Sequence, residues 1–359
     1  MRRTLAAFLG AVLLLAAGAF AQQGPVFTPF GIIPVLDTYL DALRQQAGIP
    51  GMSAALVRDG SIVWERGYGY ANVTSRVRAT PDTPYLVSNL SETFAAALLL
   101  QCVEQKRIDL DTPVRRYNVV TPEEGATTRQ LLSHTSVDGP GDTFLYSPDR
   151  FVHLTQVMEW CAPQPYRKSL AHRVLNRLAM RDSVPGTDLQ DPQLALPDEM
   201  FEPGDLDRYR QVLERLALSY KVDAKGRAER LVLPLTPVSA TGGIVSTVRD
   251  LARFETALDQ MVMLEEDTLN LAWQPAVDRR GAPVPTGLGW FVQSYRNKRV
   301  VWHFGYIPNA YSSLVMKLPE YNLTLILLAN SDGLSAPFQL GAGDVTKSVF
   351  ASLFLRLVS

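Results

Sequence analysis

The sequence has almost no net charge and no long apolar run beyond its first 21 residues. Its 35 basic and 36 acidic side chains give a formal net charge of -1. No basic run or patch interleaved with aromatic residues is present, which argues against nucleic acid as a partner. A membrane span needs about 20 apolar residues, and no later stretch reaches that length. The mature chain is therefore predicted to lack a membrane span.

Cysteine is scarce as well, with Cys102 and Cys161 the two that the sequence contains. An oxidising compartment would permit a disulfide between them. Both lie in apolar segments with helical spacing, where a free thiol behaves as a small buried hydrophobe. These contexts favour two buried thiols, and pairing stays open as the alternative.

The four histidines do not indicate a metal site. His153 and His172 have no carboxylate or cysteine at ligand spacing. His134 lies within Leu-Leu-Ser-His-Thr-Ser, a setting that favours a packed, hydrogen-bonded residue over a catalytic base. We therefore expect no metal and no organic cofactor.

The first residues have the pattern of a secretory signal peptide. Arg2 and Arg3 precede an apolar run over 5–15, and Ala19-Phe20-Ala21 supplies the small residues of a cleavage site after Ala21. This predicts a signal peptide over 1–21, a linker over 22–30 and a secreted or periplasmic domain over 31–359.

The rest of the chain predicts an α+β fold. Strand-like runs over 52–58 and 61–72 flank Asp59-Gly60, a dipeptide typical of hairpin turns. Later strand-like runs lie at 287–292, 300–304, 311–317 and 321–329, and a closing helix is predicted over 346–357. We expect an antiparallel sheet built from 31–87 and 236–359, flanked by N- and C-terminal helices, with a mostly helical region over 88–235 inserted.

Several segments match one family in that family's own order. They are G-I-P-G-M-S at 48–53, T-T-R-Q-L-L-S-H-T-S at 127–136, A-T-G-G-I at 240–244, S-T-V-R-D-L-A-R-F at 246–254 and H-F-G at 303–305. Together they resemble the serine β-lactamase and penicillin-binding-protein superfamily, in particular its class C β-lactamase-like and esterase-like branch. The resemblance implies a β-lactamase/transpeptidase-like fold with an active cleft between the sheet and the helical insertion.

The residues expected to carry the chemistry depart from that family. The family opens a helix with S-x-x-K, and here Asn89 and Glu92 hold the serine and lysine positions. Tyr146 matches the tyrosine of the family's Y-x-N motif, but Pro148 replaces the asparagine. The amide of Asn89 is no nucleophile, and proline offers neither a side-chain amide nor a backbone N–H.

The third motif is retained as His303-Phe304-Gly305. The resemblance implies that His303 lies in the cleft wall and that Gly305 lets a substrate approach the strand. The backbone N–H of Tyr306 would complete an oxyanion hole with that of Asn89. A strand histidine packed in the core is the equally favoured alternative for His303.

The substitutions at 89 and 92 also have a structural interpretation. Asn-x-x-Glu is a variant of the helix capping box, in which Asn89 accepts from the N–H of residue 92 and Glu92 reaches back to the N–H of residue 89. Ser88 and Ser91 are neighbouring hydroxyls, and Ser88 shares a helix face with Glu92 at i, i+4 spacing. An improvised nucleophile and base is thus a further alternative.

These observations predict a secreted β-lactamase-related protein that is catalytically inactive. It would bind a cell-wall fragment, a peptide or a small ester-like ligand in the cleft, or another envelope protein. One alternative is an active serine hydrolase, an esterase, β-lactamase or D,D-peptidase-like enzyme, using Ser88 or Ser91 with help from Tyr146 or His303. Another is a structural or regulatory subunit whose cleft holds no ligand.

Overall fold

The computed structural model describes residues 29–136 and 143–358. The helices are α1 (Pro29–Gln46), α2 (Ser91–Glu104), α3 (Thr128–Leu132), α4 (Pro148–Phe151), α5 (Leu154–Cys161), α6 (Tyr166–Leu170), α7 (Asp205–Glu214), α8 (Val248–Asp259), α9 (Glu266–Ala272) and α10 (Val349–Val358). The strands are β1 (Gly51–Arg58), β2 (Ser61–Asn72), β3 (Val77–Arg78), β4 (Tyr85–Leu86), β5 (Val184–Pro185), β6 (Tyr220–Val222), β7 (Ala228–Arg230), β8 (Ile244–Ser246), β9 (Phe291–Tyr295), β10 (Lys298–Ile307), β11 (Tyr311–Leu318) and β12 (Leu323–Ala329).

The predicted signal peptide, 1–21, lies outside the described residues, as does most of the predicted linker. The linker's end was placed too late, because α1 already begins at Pro29. Among the described residues, no helix combines the length and apolarity needed to cross a membrane.

A seven-stranded sheet organises the molecule, in the order β3-β2-β1-β12-β11-β10-β9 with every neighbouring pair antiparallel. Strands from both ends of the chain pair at its centre, where Met52 lies opposite Ala329. The β1–β2 hairpin turns at Asp59 and Gly60, whose φ angles are +48° and +75°, as expected for this dipeptide. The predicted α+β architecture is confirmed.

Alternation along the central strands gives the sheet two buried faces. On β12, Leu325 and Leu327 pack into one core with residues of α1 and α10, while Ile326 and Leu328 pack into the other core with α2 and α8. A period of two places neighbouring side chains on opposite faces. Each fully buried leucine or isoleucine stabilises the fold by about 1.5–3 kcal/mol, so both helical layers are held firmly against the sheet.

The region over 88–235 contains helices α2 to α7, with short strands β5 to β7 and long connecting loops. Cys102 of α2 and Cys161 of α5 form a disulfide with a Cα–Cα distance of 6.4 Å. The favoured expectation of two free thiols was therefore wrong. Both segments are helical and buried as expected, but their packing against each other could not be read from either segment alone.

Two predicted boundaries shift in the last third of the chain. The strand expected over 287–292 begins only at Phe291, because the preceding residues form a loop in which Gly287 lies against the end of α9 and Gly289 against α2. Gly289 has φ +92°, and a Cβ there would lie 2.2 Å from the Cβ of Ala96. The closing helix begins at Val349 rather than at residue 346, after a short 3₁₀ turn over Val345–Lys347.

Candidate functional site

The cleft region begins with a 3₁₀ turn over Ser88–Leu90, and α2 follows at Ser91. The predicted capping box is absent, since no side chain caps the start of α2. Asn89 Oδ1 instead accepts a hydrogen bond from the Ser88 hydroxyl at 3.2 Å. The prediction failed because Glu92, the partner it required, points into the protein interior rather than back along the helix.

Glu92 is completely buried and contacts three polar side chains, which together we call the Glu92 cluster: Glu92, His134, Tyr146 and His303. Its Oε2 atom lies 3.2 Å from His303 Nε2 and 3.3 Å from His134 Nε2. Its Oε1 atom accepts a hydrogen bond from the Tyr146 hydroxyl at 3.3 Å. A buried carboxylate is tolerated when its oxygens are paired and hydrogen-bonded in this way.

Four separate elements deliver these side chains. Glu92 lies in the first turn of α2, whose residues Ser91 to Cys102 are all buried. His303 lies on β10, His134 follows α3 in a left-handed conformation with φ +53°, and Tyr146 precedes α4. These elements surround the start of α2, so the Glu92 side chain is buried and does not hydrogen-bond to the N-terminal amides of its helix.

Hydrogen-bond partners fix the protons of the two histidines. Ser147 N–H donates to His134 Nδ1 at 3.2 Å, so that nitrogen is an acceptor and His134 carries its proton on Nε2, facing Glu92. His303 Nδ1 lies 2.9 Å from the carbonyl oxygen of Phe304 and must carry a proton. His303 is then either an imidazolium beside a Glu92 carboxylate or a neutral ring beside a protonated Glu92.

An ionised Glu92 corresponds to the first of these states. Burial alone would raise the pKa of Glu92, but the contacts with His134 and His303 outweigh burial and lower it below its ordinary value. Burial and the neighbouring Glu92 charge both raise the pKa of Tyr146 well above its usual range. With Glu92 ionised, the cluster contains an ion pair of Glu92 with His303, and Tyr146 remains a hydrogen-bond donor.

The strand that carries the third motif packs directly against the turn before α2. A Cβ on Gly305 would lie 2.1 Å from the carbonyl oxygen of Val87, so only glycine fits where β10 meets the turn before α2. The next backbone N–H, that of Tyr306, donates to Ser88 Oγ at 3.0 Å. The N–H that the resemblance assigns to an oxyanion hole is therefore engaged by a side chain of the same chain.

The remaining sequence-predicted residues lie around this contact. Asn89 is half-buried, and its Nδ2 lies 3.5 Å from the carbonyl oxygen of Thr241. Ser91 is fully buried and its hydroxyl has no partner among the described residues. Pro148 is the first residue of α4, a favoured helix position for proline. The suggested Ser88–Glu92 pair does not form, because each side chain is engaged elsewhere.

Sequence reasoning did not place His134 in the cluster. It interpreted His134 as a packed, hydrogen-bonded residue, which agrees with its burial and its contacts with Glu92 and Ser147. The family-like segment at 127–136 contains His134. No local sequence spacing links positions 92, 134 and 303, so their contact could not be predicted. His303 is buried beside Trp302, as the packing alternative expects, and it also contacts Glu92. Its role towards a ligand stays a prediction. Within the described part of the chain, no group of three candidate ligand residues is arranged to hold a metal ion.

A sheet joined from both chain ends and an inserted region that begins at α2 define a β-lactamase and penicillin-binding-protein-like fold. The chain belongs to the Beta-lactamase family, whose family model matches residues 36–349. This is a family of serine hydrolases and their relatives.

Individual relatives agree with this assignment. Penicillin-binding protein 4* of Bacillus subtilis is 22% identical over 335 residues, covering 83% of this chain and 71% of that protein. The mitochondrial serine beta-lactamase-like protein LACTB of Homo sapiens is 34% identical over 104 residues, a match that covers 27% of this chain and 19% of LACTB.

Solved structures share the fold. The octameric penicillin-binding protein homologue from Pyrococcus abyssi has a TM-score of 0.73 at 20% identity, over 90% of this chain and 77% of that one. D-amino acid amidase from Ochrobactrum anthropi, complexed with L-phenylalanine, has a TM-score of 0.67 at 21% identity, over 90% of this chain and 98% of that one.

Proposed function

We propose that this chain is an exported, catalytically inactive member of its family that binds a ligand in the cleft. The observation that carries the proposal is the Glu92 cluster. At the position where the family's S-x-x-K motif has its lysine, a buried carboxylate is paired with His303 and further bonded by Tyr146. A serine hydrolase needs a nucleophilic oxygen and a base that removes its proton, and this arrangement offers neither.

No hydroxyl near Asn89 is set up to replace the nucleophile. The amide of Asn89 cannot form an acyl-enzyme. The Ser88 hydroxyl is bonded to the N–H of Tyr306 and to Asn89. Ser91 is fully buried, so an ester or β-lactam carbonyl would not reach it. The active-hydrolase alternative therefore lacks a supporting contact at either serine.

Ligand binding is supported by polar groups that solvent can reach at this site. Asn89 and Tyr306 are both partly exposed. Relatives named as penicillin-binding proteins and a D-amino acid amidase suggest a cell-wall fragment or peptide as the occupant. Another envelope protein is the second class of partner that the cleft would accept.

Export is supported by two independent features. The pattern over 1–21 is that of a cleaved signal peptide, and Cys102 and Cys161 form a disulfide. Disulfides persist in oxidising compartments and are rare in reducing ones. We accordingly place the mature protein in a periplasm or outside the cell.

Covalent labelling tests the absence of catalysis. The purified mature chain is incubated with a fluorescent penicillin and, separately, with a fluorophosphonate, and its intact mass is measured. An active penicillin-binding protein is treated in parallel as the positive control. We expect no mass increase on this chain. An adduct on any serine, accompanied by turnover of an ester or β-lactam, would overturn the proposal and favour the active hydrolase.

Thermal shift with soluble cell-wall fragments separates a binder from a scaffold. A ligand present at a hundred times its Kd stabilises the folded state by about 2.7 kcal/mol, which raises the melting temperature by a few degrees in a protein of this size. A shift that saturates with fragment concentration supports binding. If fragments, peptides and envelope extracts all leave the melting temperature unchanged, the chain is better described as a structural subunit.

A further inference from the structure

Ser88 has an uncommon backbone conformation at the mouth of the cleft. Its φ is +56°, in the left-handed region that non-glycine residues adopt at a cost and that marks a functional constraint more often than chance. The residue is 5% exposed. This conformation directs its side chain towards β10, where a Cβ built on Gly305 would lie 3.0 Å from the Ser88 Cβ.

The protons around Ser88 can be assigned from the contacts. A backbone N–H can only donate, so Ser88 Oγ accepts from Tyr306 at 3.0 Å. The single hydroxyl proton of Ser88 is then available for Asn89 Oδ1 at 3.2 Å. This fixes the side-chain amide of Asn89 with its oxygen towards Ser88 and its NH₂ group towards the carbonyl of Thr241.

As a result, the group that can donate a hydrogen bond to a ligand changes. The backbone N–H of Tyr306 is already bonded to Ser88, whereas the NH₂ group of Asn89 is available to a ligand. Its contact with the Thr241 carbonyl is 3.5 Å long, beyond the usual range for a hydrogen bond. Asn89 is partly exposed, so a ligand carbonyl can take over this weakly used donor at little cost.

The side chains of this network are uncharged. Ser88, Asn89, Thr241 and Tyr306 carry no charge, and the oxygens of Glu92 are engaged by the other members of the Glu92 cluster. A neutral acceptor loses little hydration energy in such a site, whereas a carboxylate would be desolvated without a counter-charge from this network. The network therefore favours uncharged carbonyl groups.

We propose that Ser88 is a positioning residue with two roles. It occupies the backbone N–H of Tyr306, and it orients the side chain of Asn89 to donate a hydrogen bond to an uncharged, carbonyl-bearing ligand of the peptide or amide class. The inference rests on the proposed function, and it deepens that function by naming the chemistry of the ligand. It also makes Asn89 the group that contacts the ligand directly.

Amide-detected NMR titration of the mature chain tests this assignment. The probe is N-acetyl-dialanine N-methylamide, in its D,D and L,L forms, and the comparison compounds are the matching free acids. We expect one methylamide to bind several-fold more tightly than its free acid and to shift the side-chain NH₂ resonances of Asn89. The backbone resonance of Tyr306 should respond far less, because Ser88 occupies that N–H.

Two variants distinguish positioning from a merely structural role. Asn89→Asp has the same shape but replaces the donors with acceptors, and should weaken methylamide binding roughly tenfold, the size expected for one neutral hydrogen bond and an added charge. Ser88→Gly suits a positive φ, so it should fold normally. It frees the N–H of Tyr306, whose resonance should then shift on adding the methylamide.

The inference is overturned if the free acid binds more tightly, if neither compound binds, if Asn89→Asp binds as the wild type does, or if Tyr306 responds equally before and after Ser88→Gly. These results leave the absence of catalysis standing. That proposal fails separately, by a covalent adduct in the labelling experiment.

Discussion

Two buried charge clusters lie near His303, and each pairs a buried carboxylate with a different kind of partner. In the Glu92 cluster the counter-charge comes from a histidine. In what we call the Lys317 cluster, Lys317 Nζ lies 3.1 Å from Glu255 Oε2 and 2.6 Å from Asp259 Oδ1. His303 lines the small cavity that Glu255 and Lys317 also line.

The pKa values of the two buried glutamates, Glu92 and Glu255, are shifted in opposite directions. The pKa of Glu92 is lowered, because hydrogen bonds from two histidines outweigh its burial. Burial raises the pKa of Glu255 by more than Lys317 lowers it, and the neighbouring Asp259 charge raises it further. The interior thus contains a lysine, Lys317 on β11, which pairs with carboxylates of α8. The α2 position where the family has its lysine is occupied by Glu92.

The largest effect is expected from placing a lysine at the family position. Glu92→Lys would set an ammonium group beside His303 and His134 and remove the carboxylate that both face. Breaking a buried pair costs about 3–5 kcal/mol, and we expect urea denaturation to show a loss of unfolding free energy at least that large. Glu92→Gln is the matched control of the same shape, with an expected loss of about 1–3 kcal/mol. Wild-type stability in Glu92→Lys would contradict the cluster.

A smaller effect is expected in the Lys317 cluster. Lys317→Met leaves Glu255 without its cation, but Glu255 already has a raised pKa and can take up a proton instead. We expect a loss of about 2–3 kcal/mol near neutral pH, measured by the same denaturation. The double variant Lys317→Met with Glu255→Gln should recover part of this loss, and a double variant less stable than the single one would show that the pair is misassigned.

The pH dependence of stability should separate the clusters most finely. The folded pKa of Glu92 is below its ordinary value of 4.5, so its contribution is present above that value and is lost as pH falls through the folded pKa. Glu255 has a raised pKa, so its contribution is present below its ordinary value and is lost as pH rises through the folded pKa.

Denaturation from about pH 3 to pH 8 checks these signs. Glu92→Gln should flatten the loss of unfolding free energy on the acid side, whereas Glu255→Gln should flatten the decline that begins above the ordinary glutamate pKa. If either substitution flattens the opposite side, the corresponding direction of pKa shift is wrong.

The sequence predicted the sheet well because strand alternation and the Asp59-Gly60 turn are local signals. It also named the residues of the site, Asn89, Glu92, Tyr146 and His303. What it could not supply was that Tyr146 and His303 contact Glu92, and that His134 joins them. Local sequence alone favoured a capping box for Asn89 and Glu92. In the structure, Glu92 instead contacts residues that are distant in sequence.

Pairings between distant segments were the other limit. Cys102 and Cys161 are 59 residues apart, and their pairing depends on how α2 and α5 pack, which neither segment encodes alone. The same holds for Ser88 and Tyr306, whose hydrogen bond joins the start of α2 to β10. Local patterns gave the elements, and long-range packing decided which side chains face each other.

The protonation state of His303 tests the central claim most directly, because the cleft is proposed to hold a closed ion pair in place of a nucleophile and its base. Long-range ¹H–¹⁵N NMR of the unmodified mature chain near pH 7 reports the protons on each ring nitrogen. We predict that His303 is protonated on both nitrogens and that His134 carries its proton on Nε2. A neutral His303 whose Nε2 is unprotonated would contradict the account, whichever proton state Glu92 has.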